Sequence, residues 1–290
     1  MKTRKQKGAE AFSQYYQEFY LDRWETLKQA LLDEEVKFPR PHGVPLKNSL
    51  NVEKAFEEVH RYKDSGSVYQ MDYASFLCAM ALPLKEDSQV LDMCAAPGGK
   101  SLILIQRLLE LGGKNVIELN EVSPNRKNRL FRVLEEFNLD PRKSELKDFE
   151  IQVRGYDGLN YGIRRPASFD SILLDAPCSS ERHVLKSPSH LEKWTSKRPQ
   201  GLGKKQYGLL CSAILALKEG GHVIYSTCAL TPVENDQVIK KVLEKKSDLI
   251  ELAQIDPAIE AIAEKTEFGL HFLPDKGPFG PLYMSLLRRK

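Results

Sequence analysis

Residues 88–111, SQVLDMCAAPGGKSLILIQRLLEL, change texture twice within one stretch. SQVLDM is a run of β-formers, CAAPGGK a turn of small residues, and SLILIQRLLEL an apolar run of helical length. A strand that passes through a glycine turn into a helix is the first half of a βαβ unit. Outward from it the pattern repeats. KNVIELNE is a strand, and SPNRKNRLFRVLEEF a helix with Ser123 as its cap and Pro124 in its first turn. EIQVRG is a strand ending at YDGLNYG, FDSILLD is a strand, and KKQYGLLCSAILALK is a helix. GHVIYS is a strand, and Thr231 to Glu234 has the form of a capping box for the helix VENDQVIKKVLEKK. Five strands alternating with helices imply a parallel sheet covered on both faces. The tail FGLHFLPDKGPFGPLYMSLLRR reads as two strands around a Gly/Pro turn, an antiparallel edge. The expected fold class is α/β: a doubly wound, mostly parallel, Rossmann-like sheet behind a mostly helical N-terminal region.

The N-terminal region is read as residues 1–67 and the α/β domain as 68–290. Tyr16, Phe19, Tyr20, Trp24, Leu27 and Leu31 recur at three- and four-residue steps, which predicts one aromatic-rich packing face on a helix. VKFPRPHGVPLKN breaks that pattern as a linker, VEKAFEEVHRYK predicts a second helix, and DSGS a turn. In YQMDYASFLCAMAL, Asp72 is placed to cap a short apolar helix.

No apolar run approaches the ~18 residues of a membrane span. The basic start MKTRKQKG leads into AEAFSQYYQEF rather than an apolar stretch, so no signal peptide is expected. Glu10, Glu18 and Asp22 weigh against an organellar presequence, which points to the cytoplasm, with the mitochondrial matrix as alternative. Five cysteines without a CxxC pair argue against a disulfide framework or a metal cluster. A monomer is expected, with room for a partner protein.

Net charge is only +3, yet its distribution is uneven. From Arg182 to Lys205 seven cations (Arg182, Lys186, Lys193, Lys197, Arg198, Lys204 and Lys205) face one anion, Glu192. The run follows directly on a candidate reactive loop, which suits an anionic substrate such as RNA.

In an open α/β sheet, ligands sit at the carboxyl ends of the strands. CAAPGGKS nearly matches the phosphate loop GxxxxGK[ST] of an ATPase, but Cys94 replaces its first glycine and Pro97 lacks the N–H that would cradle a phosphate. A nucleoside cofactor without a phosphate grip fits better. Gly98 and Gly99 admit a ligand close to the backbone, Glu121 closes the second strand where an acid holds ribose hydroxyls, and Asp157 ends the third near an adenine amino group. Asp92, Asp175 and Lys100 remain for an ammonium, a sulfonium neighbourhood and a carboxylate. S-adenosylmethionine carries all of those groups.

ILLDAPCSS and VIYSTCAL both place a cysteine where a strand gives out, and those strands are expected to be neighbours, ~5 Å apart. Cys78, Cys94 and Cys211 read as small apolar residues. A thiol beside a methyl donor has a specific use: thiolate attack on carbon 6 of cytosine makes carbon 5 nucleophilic, and a second group assists release.

LDMCAAPGGK, DAPCSSERH and YSTCALTPVEN, in this order, resemble the Sun/NSUN RNA cytosine-5 methyltransferases over roughly Val68 to the C-terminus. The resemblance implies that Cys228 is the nucleophile and Cys178 promotes product release. It implies that Cys94, Ala95, Ala96, Pro97, Gly98, Gly99 and Lys100, with Glu121, Arg126, Asp157, Gly158 and Asp175, hold S-adenosylmethionine. Asp175 and Pro177 would also read the flipped cytosine. No appended module such as a PUA domain is recognisable, so RNA recognition is expected from the N-terminal region and from Arg182, Lys186, Lys197, Arg198, Lys204 and Lys205. DAPCSSERH and the closing FGPLYMSLLRR look like the short branch that includes the mitochondrial members. The expected substrate is a ribosomal or transfer RNA. An RNA-binding assembly factor with little chemistry is the alternative of a different class.

Overall fold

The computed structural model describes residues 7–41, 68–143 and 146–290. The expected helix VEKAFEEVHRYK and turn DSGS lie outside them. The five anticipated strands, β3 (Gln89–Asp92), β4 (Asn115–Asn120), β5 (Phe149–Arg154), β6 (Phe169–Asp175) and β7 (Leu217–Thr227), form a parallel array in the order β5-β4-β3-β6-β7. The order reverses between β3 and β6, and that reversal opens a crevice at the carboxyl ends of those strands. The tail supplies β10 (Leu270–Phe272) and β11 (Leu282–Arg289); β11 runs antiparallel to β7, with Tyr283 opposite Thr227. Two short strands not anticipated, β8 (Ile250–Leu252) and β9 (Glu264–Lys265), extend this edge.

Alternation along the strands fills both faces. Val90, Leu173 and Ile224 point into one layer with α3 (Tyr73–Ala81), α4 (Gly99–Leu111) and α5 (Pro124–Glu136). Leu91, Ile172, Leu174, Val223 and Tyr225 point into the other, against α6 (Lys197–Ala216) and α7 (Asp236–Lys245). Asp72 does cap α3, its carboxylate accepting from Ser75 N at 3.1 Å. Ser123 precedes α5 but its side chain makes no capping bond; its own N–H donates to Glu121 Oε1 at 2.8 Å. The capping box also fails. The helix begins later, at Asp236, because the Glu234 carboxylate turns inward and accepts from Ser179 N and Gln206 Nε2.

The N-terminal aromatic face is split. α1 (Ala9–Tyr20) and α2 (Trp24–Leu32) are separated by a tight turn at Leu21–Arg23, where Leu21 adopts φ 49°. Tyr16, Trp24, Leu27 and Leu31 are buried as expected, while Phe19 stays exposed. Their partners are Val184, Trp194 and Leu230, from the segments that follow the two rim cysteines. Within the segment read as a linker, β1 (Phe38–Pro41) pairs antiparallel with β2 (Val68–Met71).

Candidate active site

At the reversal point, β3 ends in Asp92 and the loop Cys94–Gly98 leads into α4. Gly98 has φ 123°, a backbone that L side chains rarely adopt. At Gly99 an added Cβ would lie 2.6 Å from the Tyr69 ring, so this glycine is required by the close approach of β2. Together they bound a cleft of about 200 Å³, whose lining includes Lys37, Tyr69, Asp72, Ser75, Asp92, the Cys94–Lys100 loop and Asp175.

Lys100 Nζ reaches Asp175 Oδ2 at 2.8 Å and Ser75 Oγ at 3.1 Å, and Ser226 Oγ donates to Asp175 Oδ1 at 3.0 Å. Burial opposes the lysine charge, but Asp175, joined by Cys78 and Asp72, holds Lys100 above the ordinary lysine range. Asp92 accepts from Ser101 Oγ at 2.7 Å through Oδ2, while among the described residues its buried Oδ1 has no hydrogen-bond partner. Burial, with a smaller push from Asp175, raises Asp92 to about 7. A buried carboxylate oxygen lacking a donor beside an open cleft fits the ammonium of an amino-acid moiety.

Glu121 is 3% exposed and lies outside that lining. Its carboxylate faces Ser123 N and Arg126 Nη1 (3.3 Å), and Arg126 Nη2 donates to Ala96 O at 2.6 Å. Arg126 thereby ties the β4 end to the glycine loop. Asp157 is exposed and caps the turn at Gly158 by accepting from Leu159 N at 3.1 Å. Asn120 clasps the same rim, donating to Met93 O and Tyr156 O and accepting from Tyr156 N. The glycine loop, Lys100 and Asp175 share one cleft; Glu121, buried, and Asp157, exposed, lie outside its lining.

Cys178 and Cys228 follow β6 and β7, which are adjacent. Their sulfurs lie 2.7 Å apart as free thiols, with Ser180 Oγ at 3.6 and 3.3 Å. The hydrogen bond to Cys228, and then burial, raise the Cys178 thiol well above its ordinary value. A pair so arranged can keep one sulfur protonated while the other reacts.

Residues 79–288 match the family of the 16S rRNA methyltransferase RsmB/F. The chain belongs to that family. It is 36% identical over 232 residues to a mitochondrial tRNA (cytosine(34)-C(5))-methyltransferase of Danio rerio, covering 76% of this chain and 60% of that protein. It is 37% identical over 178 residues to the 5-cytosine rRNA methyltransferase NSUN4 of Bos taurus, covering 61% and 44%. The chain thus spans 60% and 44% of the length of these relatives. A methyltransferase homolog of Pyrococcus horikoshii shares the fold, with a TM-score of 0.72 over 97% of this chain and 95% of that one, at 21% identity. Membership in a methyltransferase family removes the ATPase reading.

Within this family member, the basic segment divides in two. Arg182 packs on the N-terminal helices, donating to Ala30 O at 3.3 Å and pairing with Glu35 at 3.4 Å. Lys186 donates to Asp33 O at 2.8 Å. Both cations thus meet the carboxyl end of α2, where the helix dipole favours them. Lys197, Arg198, Lys204 and Lys205 are exposed on the first turns of α6, and Arg198 also reaches Ser179 O at 3.4 Å. Pro177 O accepts from Gln206 Nε2 at 2.9 Å. Sequence reasoning missed Tyr69, Ser75 and Ser226 in the site, since only tertiary contact brings them there.

Proposed function

We propose that this protein methylates carbon 5 of a cytosine in RNA through a covalent bond between Cys228 and carbon 6. The observation that carries the reading is the pair of thiols 2.7 Å apart beside the Asp92–Lys100–Asp175 cleft. When bound, S-adenosylmethionine supplies an electrophilic methyl group. Asp92 would receive its ammonium, the Cys94–Gly99 backbone would flank it, and Glu121 and Asp157 would lie along the nucleoside. Cys228 Sγ adds to carbon 6, and the electron pair of the 5,6 double bond becomes available at carbon 5. After transfer, the carbon-5 proton passes to solvent water acting as base, its bonding pair restores the double bond, and the Cys228 thiolate is expelled. Cys178, whose thiol is held protonated, stands within one hydrogen bond of the departing sulfur. Asp175 and Pro177 would border the cytosine, which must be unstacked to reach the thiols.

The test is transfer of labelled methyl from S-adenosylmethionine to ribosomal and transfer RNA, with the product digested to nucleosides. Label in 5-methylcytidine is expected; label only in another nucleoside, or none from any RNA, overturns the reading. Names of the relatives support ribosomal or transfer RNA as the substrate, and those of the tRNA enzymes support a mitochondrial location.

Lys197, Arg198, Lys204 and Lys205 would supply the phosphate grip. Replacing all four with Gln should flatten the salt dependence of RNA affinity by ~0.7 in log–log slope per lost phosphate contact. A filter-binding titration that returns the wild-type slope would remove them from the RNA face.

A further inference from the structure

Behind the two thiols lie two carboxylates that the proposed chemistry does not use. Glu181 and Glu234 are each 0% exposed. Among the described residues, neither has an ion-pair partner within 4.0 Å. Each accepts a hydrogen bond from a cysteine loop. Glu234 Oε2 accepts from Ser179 N at 2.9 Å, one residue past Cys178, and from Gln206 Nε2 at 2.8 Å, which also holds Pro177 O. Glu181 accepts from the Ser179 hydroxyl and from Leu230 N at 3.2 Å, two residues past Cys228. Tyr16 of α1 donates its hydroxyl to the same carboxylate. Nearby, Tyr15 bonds Thr231 Oγ1 at 3.1 Å and Tyr20 donates to Leu230 O at 2.9 Å. Ser179 thus bridges two acids, and each acid bridges toward a different cysteine.

We propose that Glu181 and Glu234 are the positioning residues of this site, a carboxylate clamp that holds the Cys178 and Cys228 loops in register so the two sulfurs stay within one proton's reach. Burying two carboxylates is costly unless they are hydrogen-bonded or share a proton. Burial first, and Glu181 second, push Glu234 up to about 7. Burial also raises Glu181. The groups facing the pair are Tyr15, Tyr16 and Tyr20 from the N-terminal helices, Cys178, Tyr225 of β7, and Arg198 through Ser179 O. Glu234 therefore gains and loses its proton near neutrality. As pH rises through about 7 Glu234 ionises, which adds negative charge to the clamp, loosens it and disfavours a thiolate beside it.

The clamp gives the reaction proposed above its residue positions, so its test must not depend on that reaction. Diamide oxidation of the folded enzyme provides one. Cys178 and Cys228 together lose two protons and two electrons, one S–S bond forms, and diamide is reduced to the hydrazine. Peptide mapping under non-reducing conditions follows the rate. Wild type should cross-link this pair readily, whereas Glu181→Ala and Glu234→Ala variants that still bind S-adenosylhomocysteine should be slower by ~10-fold or more. Glu234→Gln keeps an acceptor for both donors but cannot ionise. The ratio of wild-type to Glu234→Gln rate should fall between pH 6 and pH 8. Unslowed alanine variants, or a rate ratio constant with pH, would overturn the clamp. Methyl transfer assayed in parallel separates the two ideas: slowed cross-linking without any RNA methylation by wild type leaves the clamp and removes the methyltransferase reading.

Discussion

With Cys178 replaced by alanine, incubation with S-adenosylmethionine and substrate RNA should yield a protein–RNA adduct that survives a denaturing gel. In the Cys178→Ala/Cys228→Ala double variant the adduct should vanish. In the proposed mechanism the Cys228 sulfur attacks carbon 6, so its loss should lower turnover by ~10⁴-fold or more, as for other nucleophiles acting in a unit. Cys178 acts later. It sits 2.7 Å from Cys228, and the bond between them together with burial keeps its proton on. Removing it leaves carbon 6 bonded to sulfur with no neighbour to assist departure, and the intermediate accumulates. Its accumulation, rather than loss of rate alone, is the discriminating observation. An adduct formed by Cys228→Ala and absent from Cys178→Ala would reverse the two roles. RNA methylation by both single variants without any adduct would sink the covalent mechanism.

How much of this could be read from the sequence depends on the range of the force involved. Strand ends were legible because β-formers and small residues alternate locally: FDSILLD is β6 residue for residue, and the adjacency of β6 and β7 follows from the doubly wound order. Asp72 was legible as a cap because its acceptor and donor are three residues apart. Glu234 misled for the converse reason. Its spacing from Thr231 copies a capping box, yet its carboxylate is taken by Ser179, 55 residues upstream. Tyr16 and Glu181 are separated by 165 residues, so no local pattern announces that α1 braces the Cys178 loop. Arg182 and Lys186 read as part of a cationic surface because sequence shows charge without direction; their guanidinium and ammonium turn to α2. The aromatic stripe was rightly read as packing, but α1 and α2 bend apart at Leu21, where Arg23 is drawn to Glu264 (2.5 Å) and Asp275 (2.6 Å) at the far end of the chain.

Lys100→Met should abolish methylation and weaken cofactor binding by ~10–100-fold, for a reason the ion-pair geometry makes separable from simple unfolding. The lysine pairs with Asp175 at 2.8 Å in a cleft whose walls also carry Asp92 and Asp72. Without it, three acids line that space, one of which already lacks a donor at Oδ1. Breaking a buried pair by removing one partner costs about 3–5 kcal/mol, and the partial exposure of Asp175 reduces that to roughly 1–3 kcal/mol. Removing both partners avoids most of the penalty, because no unpaired charge is left behind. Lys100→Met/Asp175→Asn should therefore regain thermal stability relative to Lys100→Met. It should not regain methyl transfer, since Asp175 also orients Ser226 and borders the space before the thiols. Thermal denaturation and titration with S-adenosylhomocysteine measure the two effects independently. A double variant as unstable as Lys100→Met would show that the lysine acts through packing on α4 rather than through Asp175. Full methylation by Lys100→Met would place cofactor recognition elsewhere on the rim, with Glu121 and Asp157 as its remaining anchors.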